Sequence, residues 1–294
     1  MRRWNGWGVE TTAYPLPQAA AAFLAERLGP GTPSADAALE SVLACVPASR
    51  GPPHALLTTN PLDRLQHARG QSLPDWVALR SGRVGVFPDA VAYPASDEEV
   101  RSLLEFARAN HIRLIPYGGG TSVVGHINPV ADAVPTLTVD LSRLSKLLEL
   151  DEVSRLATVE AGVRGPELEA QLQRLGFTLG HYPQSFEFST LGGWIATRST
   201  GQQSYFHGRI EDNFAGGRME TFLGRLDLAP LPASAAGPDL RQLVLGSEGR
   251  LGLITRAVTR VRRLPEVDAF FAAFFRTWQE GLDAVRHIVS LCKK

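Results

Sequence analysis

Cysteine is scarce: Cys45 and Cys292 stand far apart in 294 residues and share no CxxC spacing. That pattern argues against a disulfide framework or a cysteine-based zinc site and fits a reducing, cytoplasmic compartment. Charge of one sign is lacking too, since 30 basic residues face 30 acidic ones. No global field steers the chain toward nucleic acid, and no nucleic-acid partner is expected. No apolar run approaches the roughly 18 residues that a transmembrane segment needs. The amino terminus lacks the basic stretch and unbroken apolar core of a secretory signal, because the alanine-rich run 19–25 is interrupted at Glu26 and Arg27. What is present, 44% hydrophobic and 20% charged residues, suffices for one large domain or two ordinary ones.

Residues 1–82 read as a helical and irregular amino-terminal segment. Pro15, Pro17, Pro30, Pro33, Pro47, Pro52, Pro53 and Pro61 divide it, leaving short helices over 18–28 and 34–43 that pack on something larger. Trp4, Trp7 and Trp76 call for burial or a partner. From residue 83 the pattern is regular. Strand candidates at 84–87 and 91–93 precede Asp97 as N-cap and a helix carrying Val100, Leu103, Leu104 and Ala107. Strands follow at 113–115, 136–141 and 157–161, and Pro166 opens a helix with Leu168, Leu172 and Leu175 that Gly176 stops. The strands are short and their connections irregular, which indicates an α+β fold rather than a doubly wound sheet.

Residues 182–213 are rich in Gly, Ser and Thr without clear periodicity, a length of loop that usually lines a site. Residues 228–238 read as an exposed loop. Strand 253–263 sets Ala257, Thr259 and Val261 on one face against Arg256, Arg260 and Arg262, with Arg263 at its end. Those arginines suit a solvated face better than a phosphate patch. After Pro265 an apolar strand at 269–275 and a capping box, Thr277 to Glu280, open a helix with Leu282, Val285, Ile288 and Val289. One strand and one helix cannot bury both apolar faces, so 265–294 is expected to be the incomplete beginning of a cap domain in a truncated chain.

Three loops carry the chemistry. Gly118, Gly119, Gly120, Thr121 and Ser122 follow a strand, and glycine there serves either a turn with unusual angles or the approach of backbone N–H groups to an anion. Neither a Walker A ending nor a GxGxxG spacing is present. Ser189, Thr190, Gly192 and Gly193 form a second hydroxyl-flanked loop, and residues 246–252 a third that enters an apolar strand. Together they suit a ligand with a pyrophosphate, a sugar-like chain and a flat ring.

In order and wording the chain resembles the flavin-binding half of the vanillyl-alcohol-oxidase/PCMH superfamily, and within it the alkylglycerone-phosphate synthase group. The likeness rests on Trp4-Asn5-Gly6-Trp7-Gly8, on blocks at 70–75, 79–82, 116–122, 159–162 and 186–194, and on 196–199, 208–212 and 246–255. It implies a PCMH-type FAD-binding domain of two α+β subdomains over 83–264, with FAD bound noncovalently. By that likeness Pro116, Tyr117, Gly118, Gly119, Gly120, Thr121 and Ser122 cradle the pyrophosphate. Gln184, Ser185, Phe186, Glu187, Phe188, Ser189 and Thr190, with Gly192 and Gly193, then Thr197, Arg198, Ser199 and Thr200, lie along the ribityl chain and ring. Gly246, Ser247, Glu248, Gly249, Arg250, Leu251 and Gly252 close over the cofactor, with Ile254 in the strand beyond.

The resemblance also implies a transferase without net redox change, exchanging the acyl group of acyl-dihydroxyacetone phosphate for a long-chain alcohol in ether-lipid synthesis. An FAD-dependent oxidoreductase of a 2-hydroxy acid or another alcohol, or an FAD-binding fragment without its own catalysis, are the alternatives. The expected partner is a small or lipid-like substrate, and a homodimer or peripheral membrane association is compatible with the resemblance. The group's acid/base tyrosine and histidine-rich segment belong to a later region, so no catalytic residue is named. Glu248 serves either the cofactor or its loop, Glu211 and Asp212 read as cap or surface, and Tyr182 packs on the ring or within the core. His126, His181 and His207 lie near the loops without metal-ligand spacing, so no metal is expected. His54, His67 and His111 read as structural or surface residues.

Overall fold

The computed structural model describes residues 2–31, 35–232 and 235–291. Pro33, Ser34 and Cys292 lie outside them. Four short strands form one sheet in the order Leu57–Thr58, Ala90–Ala92, Thr136–Asp140, Arg113–Tyr117, parallel except for the first pair. Thr136–Asp140 is buried at every position, as a central parallel strand must be. Helix Asp97–Ala109 covers it, because Val100, Leu103, Leu104 and Ala107 share a helical face and join Leu137 and Val139 in one core. Its N-cap is Ser96, whose Oγ accepts from the Glu99 N–H at 3.2 Å. Asp97, expected to cap, begins the helix instead, its carboxylate taken up by arginines of the second sheet.

That second sheet is wholly antiparallel, in the order Leu147–Asp151, Leu156–Glu160, Leu253–Arg260, Phe214–Thr221, Gly224–Leu228. Helices Gly165–Gln173 and Leu191–Thr197 cover it through Leu168, Leu172, Leu191, Trp194 and Ile195. Along the central strand Ala257 and Thr259 are buried while Arg260 is exposed. The strand ends earlier than expected. The Val261 N–H turns aside to the Arg155 carbonyl at 2.9 Å, and Arg262–Arg263 then pairs with Phe177–Thr178. The arginines have structural partners: Arg260 donates to the Asp212 carbonyl at 3.0 Å, and Arg262 and Arg263 lie over Phe206 and Phe177.

Several local expectations change. Gln18–Leu28 is helical as read, yet none of its residues is buried. Of the described residues 35–43 only Leu39–Leu43 is helical. Pro61–Gln66 and Leu73–Arg80 are additional helices in which the prolines occupy the first turn, where a missing N–H costs nothing. Residues 84–87 are not a strand, since Gly85 adopts φ +83° and the Arg69 side chain, not a neighbouring strand, bonds the Val84 carbonyl. Residues 182–213 fold into three short helices, Leu191–Thr197, Ser204–His207 and Ile210–Asn213. The apolar run 269–275 pairs with no strand among the described residues and stays exposed at Phe270, Phe271 and Phe274. Thr277 caps helix Trp278–Leu291 as read, accepting from the Glu280 N–H at 3.2 Å.

Two sets of buried charges join the layers. The Asp97 carboxylate meets Arg218 at 2.8 Å and Arg256 at 2.6 Å, and Glu220 meets Arg101 at 3.1 Å and Arg225 at 3.0 Å. Both carboxylates are almost fully buried. Burial alone would raise the Asp97 carboxyl, but the Arg218 hydrogen bond and the Arg256 charge carry it below the usual carboxylate value. A depressed value makes its contribution present at neutral pH and lost as pH falls through the acidic range. Asp97→Asn should therefore cost about 2 kcal/mol in urea unfolding at pH 7, the partly exposed guanidiniums screening the full penalty of a broken buried pair. The gap from wild type should close in acid. A gap unchanged by pH would show that the charge is not what matters.

Candidate functional site

A cavity of about 370 Å³ opens where residues 118–122, leaving strand Arg113–Tyr117, meet helix Leu191–Thr197 and the 246–252 loop. Close approach explains the glycines. A Cβ at Gly118 would overlap Thr190, one at Gly119 the Phe188 carbonyl, and one at Gly249 the Pro116 ring. Thr190 is N-cap of helix Leu191–Thr197, its Oγ1 accepting from the Gly193 N–H at 3.3 Å. The three loops thus touch one another through bare backbone, with the cavity between them.

Most of the residues singled out in the sequence line this cavity: Pro116, Tyr117, Gly118, Gly119, Gly120, Thr121 and Ser122; Ser185, Ser189, Thr190, Gly192, Gly193, Thr197 and Ser199; Ser247, Glu248, Gly249, Gly252 and Ile254. Gln184, Phe186, Glu187, Phe188, Arg198, Thr200, Gly246, Arg250 and Leu251 do not. Gln184, Glu187, Thr200, Arg250 and Leu251 face solvent. Phe186 stacks behind Trp194, with centroids 6.4 Å apart. Arg198 turns to the Leu245 carbonyl at 3.2 Å and Gln242 at 2.8 Å, bracing the third loop, whose Gly246 rests on the Arg198 side chain. Val123, Val124, His126, Ile127, Leu141, Ala161, Trp194 and Ala196 also line the cavity. Leu141 and Ala161 follow directly on strands Thr136–Asp140 and Leu156–Glu160, so only the rule that ligands sit at strand ends pointed to them.

The lining is electrostatically mild. It contains no lysine or arginine, and its titratable side chains are Tyr117, His126 and Glu248. Burial pushes the Tyr117 hydroxyl up, and that group donates to the Gln66 carbonyl at 3.2 Å. Ser122 Oγ and His126 Nδ1 are 3.4 Å apart. Glu248 sits in the left-handed region at φ +50° while its N–H donates to Ala196 at 2.9 Å, so the loop's shape fixes it. His67 braces the first loop from behind: its ring nitrogens meet the Asp63 carbonyl at 2.7 Å and Asp140 at 2.8 Å, and the ring lies on Tyr117. Tyr182 packs on Phe186 and His207 lies outside the lining. Asp212 caps Arg209 at 2.8 Å, and Glu211 pairs with Arg198 and Arg209. Among the described residues, no three His, Cys, Asp or Glu are grouped to hold a metal ion, and no helix is long and apolar enough to cross a membrane.

These features fit a flavin dinucleotide. Thr121, Ser122, Thr190, Thr197 and Ser199 offer neutral hydroxyls, and Ser247 Oγ is buried without a protein partner. Ala161, Gly192 and Gly193 give a wall of small residues, backed by Trp194 and Ile254, against which a flat ring can lie.

Residues 88–226 match the FAD binding domain family. An alkyldihydroxyacetonephosphate synthase of Dictyostelium discoideum is 41% identical over 234 residues, 80% of this chain and 38% of that protein. A mitochondrial D-lactate dehydrogenase (cytochrome) of Arabidopsis thaliana is 31% identical over 202 residues, 67% of this chain and 34% of that protein. A solved alkyldihydroxyacetonephosphate synthase superposes with TM-score 0.83 at 32% identity, covering 98% of this chain and 58% of that one. The chain spans well under half the length of both sequence relatives. Matched domain, shared fold and identity together make it a member of the FAD-binding domain family, with alkyldihydroxyacetonephosphate synthases among its relatives.

Proposed function

We propose that the chain binds FAD noncovalently in this cavity and forms the flavin-binding part of an alkyldihydroxyacetonephosphate synthase, which exchanges the acyl group of acyl-dihydroxyacetone phosphate for a long-chain alcohol. The observation that carries the reading is the convergence of three glycine loops on one cavity lined by hydroxyls and backbone, without a fixed cation. Bound FAD supplies a ring that can take up and return an electron pair. Backbone N–H groups of 118–122, with Thr121 and Ser122, would hold the pyrophosphate. Thr190, Thr197 and Ser199 would bond the ribityl chain and ring edge, and 247–249 would close over them. Residues 83–264 then form the cofactor-binding unit, and 265–291 belong to a substrate-facing one, where exposed Phe270, Phe271, Phe274 and Trp278 suit a lipid-like substrate.

His181 keeps this environment neutral. Burial pushes its imidazole down to about 4, and its Nε2 lies 3.1 Å from the Oγ of Ser199, a lining residue. Because the folded value is depressed below 6.5, the unfolded chain binds the proton first, so stability is full above that value and lost as pH falls toward about 4. Unfolding measured across that window should steepen in acid, and His181→Gln should flatten the slope. An unchanged slope would remove His181 from the account.

Gly119→Val should separate the first loop from the second and lower flavin affinity at least about tenfold while circular dichroism stays native. A folded wild type without flavin affinity would overturn the cofactor reading, and flavin still attached after acid denaturation would overturn its noncovalent part. Labelled long-chain alcohol should enter acyl-dihydroxyacetone phosphate without an electron acceptor. Flavin bleaching by D-lactate without alcohol incorporation would establish the oxidoreductase reading, which the 31% identical dehydrogenase favours.

A further inference from the structure

We infer that Arg2 and Trp7, both outside the cavity lining, set the conformation of the first glycine loop and so control how tightly FAD is kept. The inference rests on the FAD reading above. Residues 2–9 form a small hairpin: Arg2 bridges Val9, the Arg3 N–H donates to the Gly8 carbonyl at 3.0 Å, and Arg3 Nε donates to the Val9 carbonyl at 3.1 Å. Gly8 makes the turn at φ +95°, where other residues are strained. Trp4 anchors the hairpin on the cluster around Val42 and Leu65.

Two side chains of this hairpin hold the two cofactor loops where those loops touch. The Trp7 ring stands edge-on to Phe188, with centroids 5.1 Å apart and planes at 83°. The Arg2 guanidinium donates to the Gly119 carbonyl and lies 5.7 Å from the Phe188 ring centre. Gly119 and Phe188 are the pair whose backbones meet because Gly119 has no side chain. The Arg2 bond fixes one peptide plane. In a trans peptide the C=O and N–H point in opposite directions, so fastening the Gly119 carbonyl to Arg2 turns the Gly120 N–H away from it. Gly120 lines the cavity and Arg2 does not. A cation on the carbonyl also polarises that peptide and strengthens its N–H as a donor. In a lining without lysine or arginine, this is how positive character reaches the expected pyrophosphate position without a cation entering the cavity. Arg2 is thus a positioning residue acting through Gly119, and Trp7 seats the second loop against the first.

The test compares FAD release, followed by recovery of free-flavin fluorescence, in wild type, Arg2→Ala, Arg2→Lys and Trp7→Leu, alongside melting of each apoprotein. Arg2→Ala should release FAD about tenfold faster, the scale of one lost charge-assisted hydrogen bond, with apoprotein melting unchanged. Arg2→Lys should recover part of the retention, and Trp7→Leu should fall on the side of Arg2→Ala. Equal release from wild type and Arg2→Ala would overturn the inference. So would a loss that tracks apoprotein melting with Arg2→Lys no better than Arg2→Ala, since that marks a merely structural hairpin. Absence of FAD binding in the wild type would instead overturn the reading beneath it.

Discussion

The Asp97 carboxylate between Arg218 and Arg256 is the constraint on which the site depends. It stands at the first turn of the helix that covers the parallel sheet, and its partners come from two adjacent strands of the antiparallel sheet. Glu220 with Arg101 repeats the arrangement in reverse, carboxylate on the sheet and guanidinium on the helix. Buried ion pairs seldom add much net stability, because desolvation offsets the attraction, but a carboxylate left without its arginines is strongly penalised. Such contacts therefore specify one docking of the layers over others. Leu253, the first residue of the central antiparallel strand, reinforces it by placing its side chain in the core of the parallel sheet. The cavity is the space left between walls held in this way, with Pro116 and Leu141 on one side and Ala161 and Ile254 on the other.

Glycine in this protein serves the protein before it serves a ligand. At 118, 119 and 249 the missing side chain makes room for Thr190, the Phe188 carbonyl and Pro116. Each contact brings one loop against another or against the strand that feeds it. Backbone packed this closely has few alternative conformations, so the donors lining the cavity are oriented before any ligand arrives, and less ordering is left to accompany binding.

Legibility in the sequence followed the range of the interaction. Helix Asp97–Ala109 and strand Leu253–Arg260 were readable because their apolar periods are local. Strand Phe214–Thr221 was not, because Gly216 and Gly217 interrupt its pattern, and both fit there only through close contact with neighbouring strands. Asp97 looked like a cap, since nothing within its own helix announces arginines more than a hundred residues away. The three loops were legible as wording, and most of their residues do face one cavity. Arg198 and Phe186 turn away from the cavity because position in a loop does not set the direction of a side chain: one braces residues 242–245 and the other backs Trp194. Leu141 and Ala161 were taken as ordinary strand ends, although that is where sheets expose space for ligands.

The same geometry accounts for relatives with different chemistry. A synthase and a D-lactate dehydrogenase are both about a third or more identical to this chain, yet the cavity's lining carries little that would choose between their reactions. Tyr117 is committed to the Gln66 carbonyl, and Glu248 is held by the turn it occupies. The remaining lining groups, His126 and Trp194 apart, are hydroxyls, glycines and apolar side chains, which would suit a flat, anionic-tailed molecule without fixing a proton donor or acceptor at its reactive edge. A frame of this kind can stay constant while the reaction changes, because the discrimination is left to groups that approach the ring from its open side.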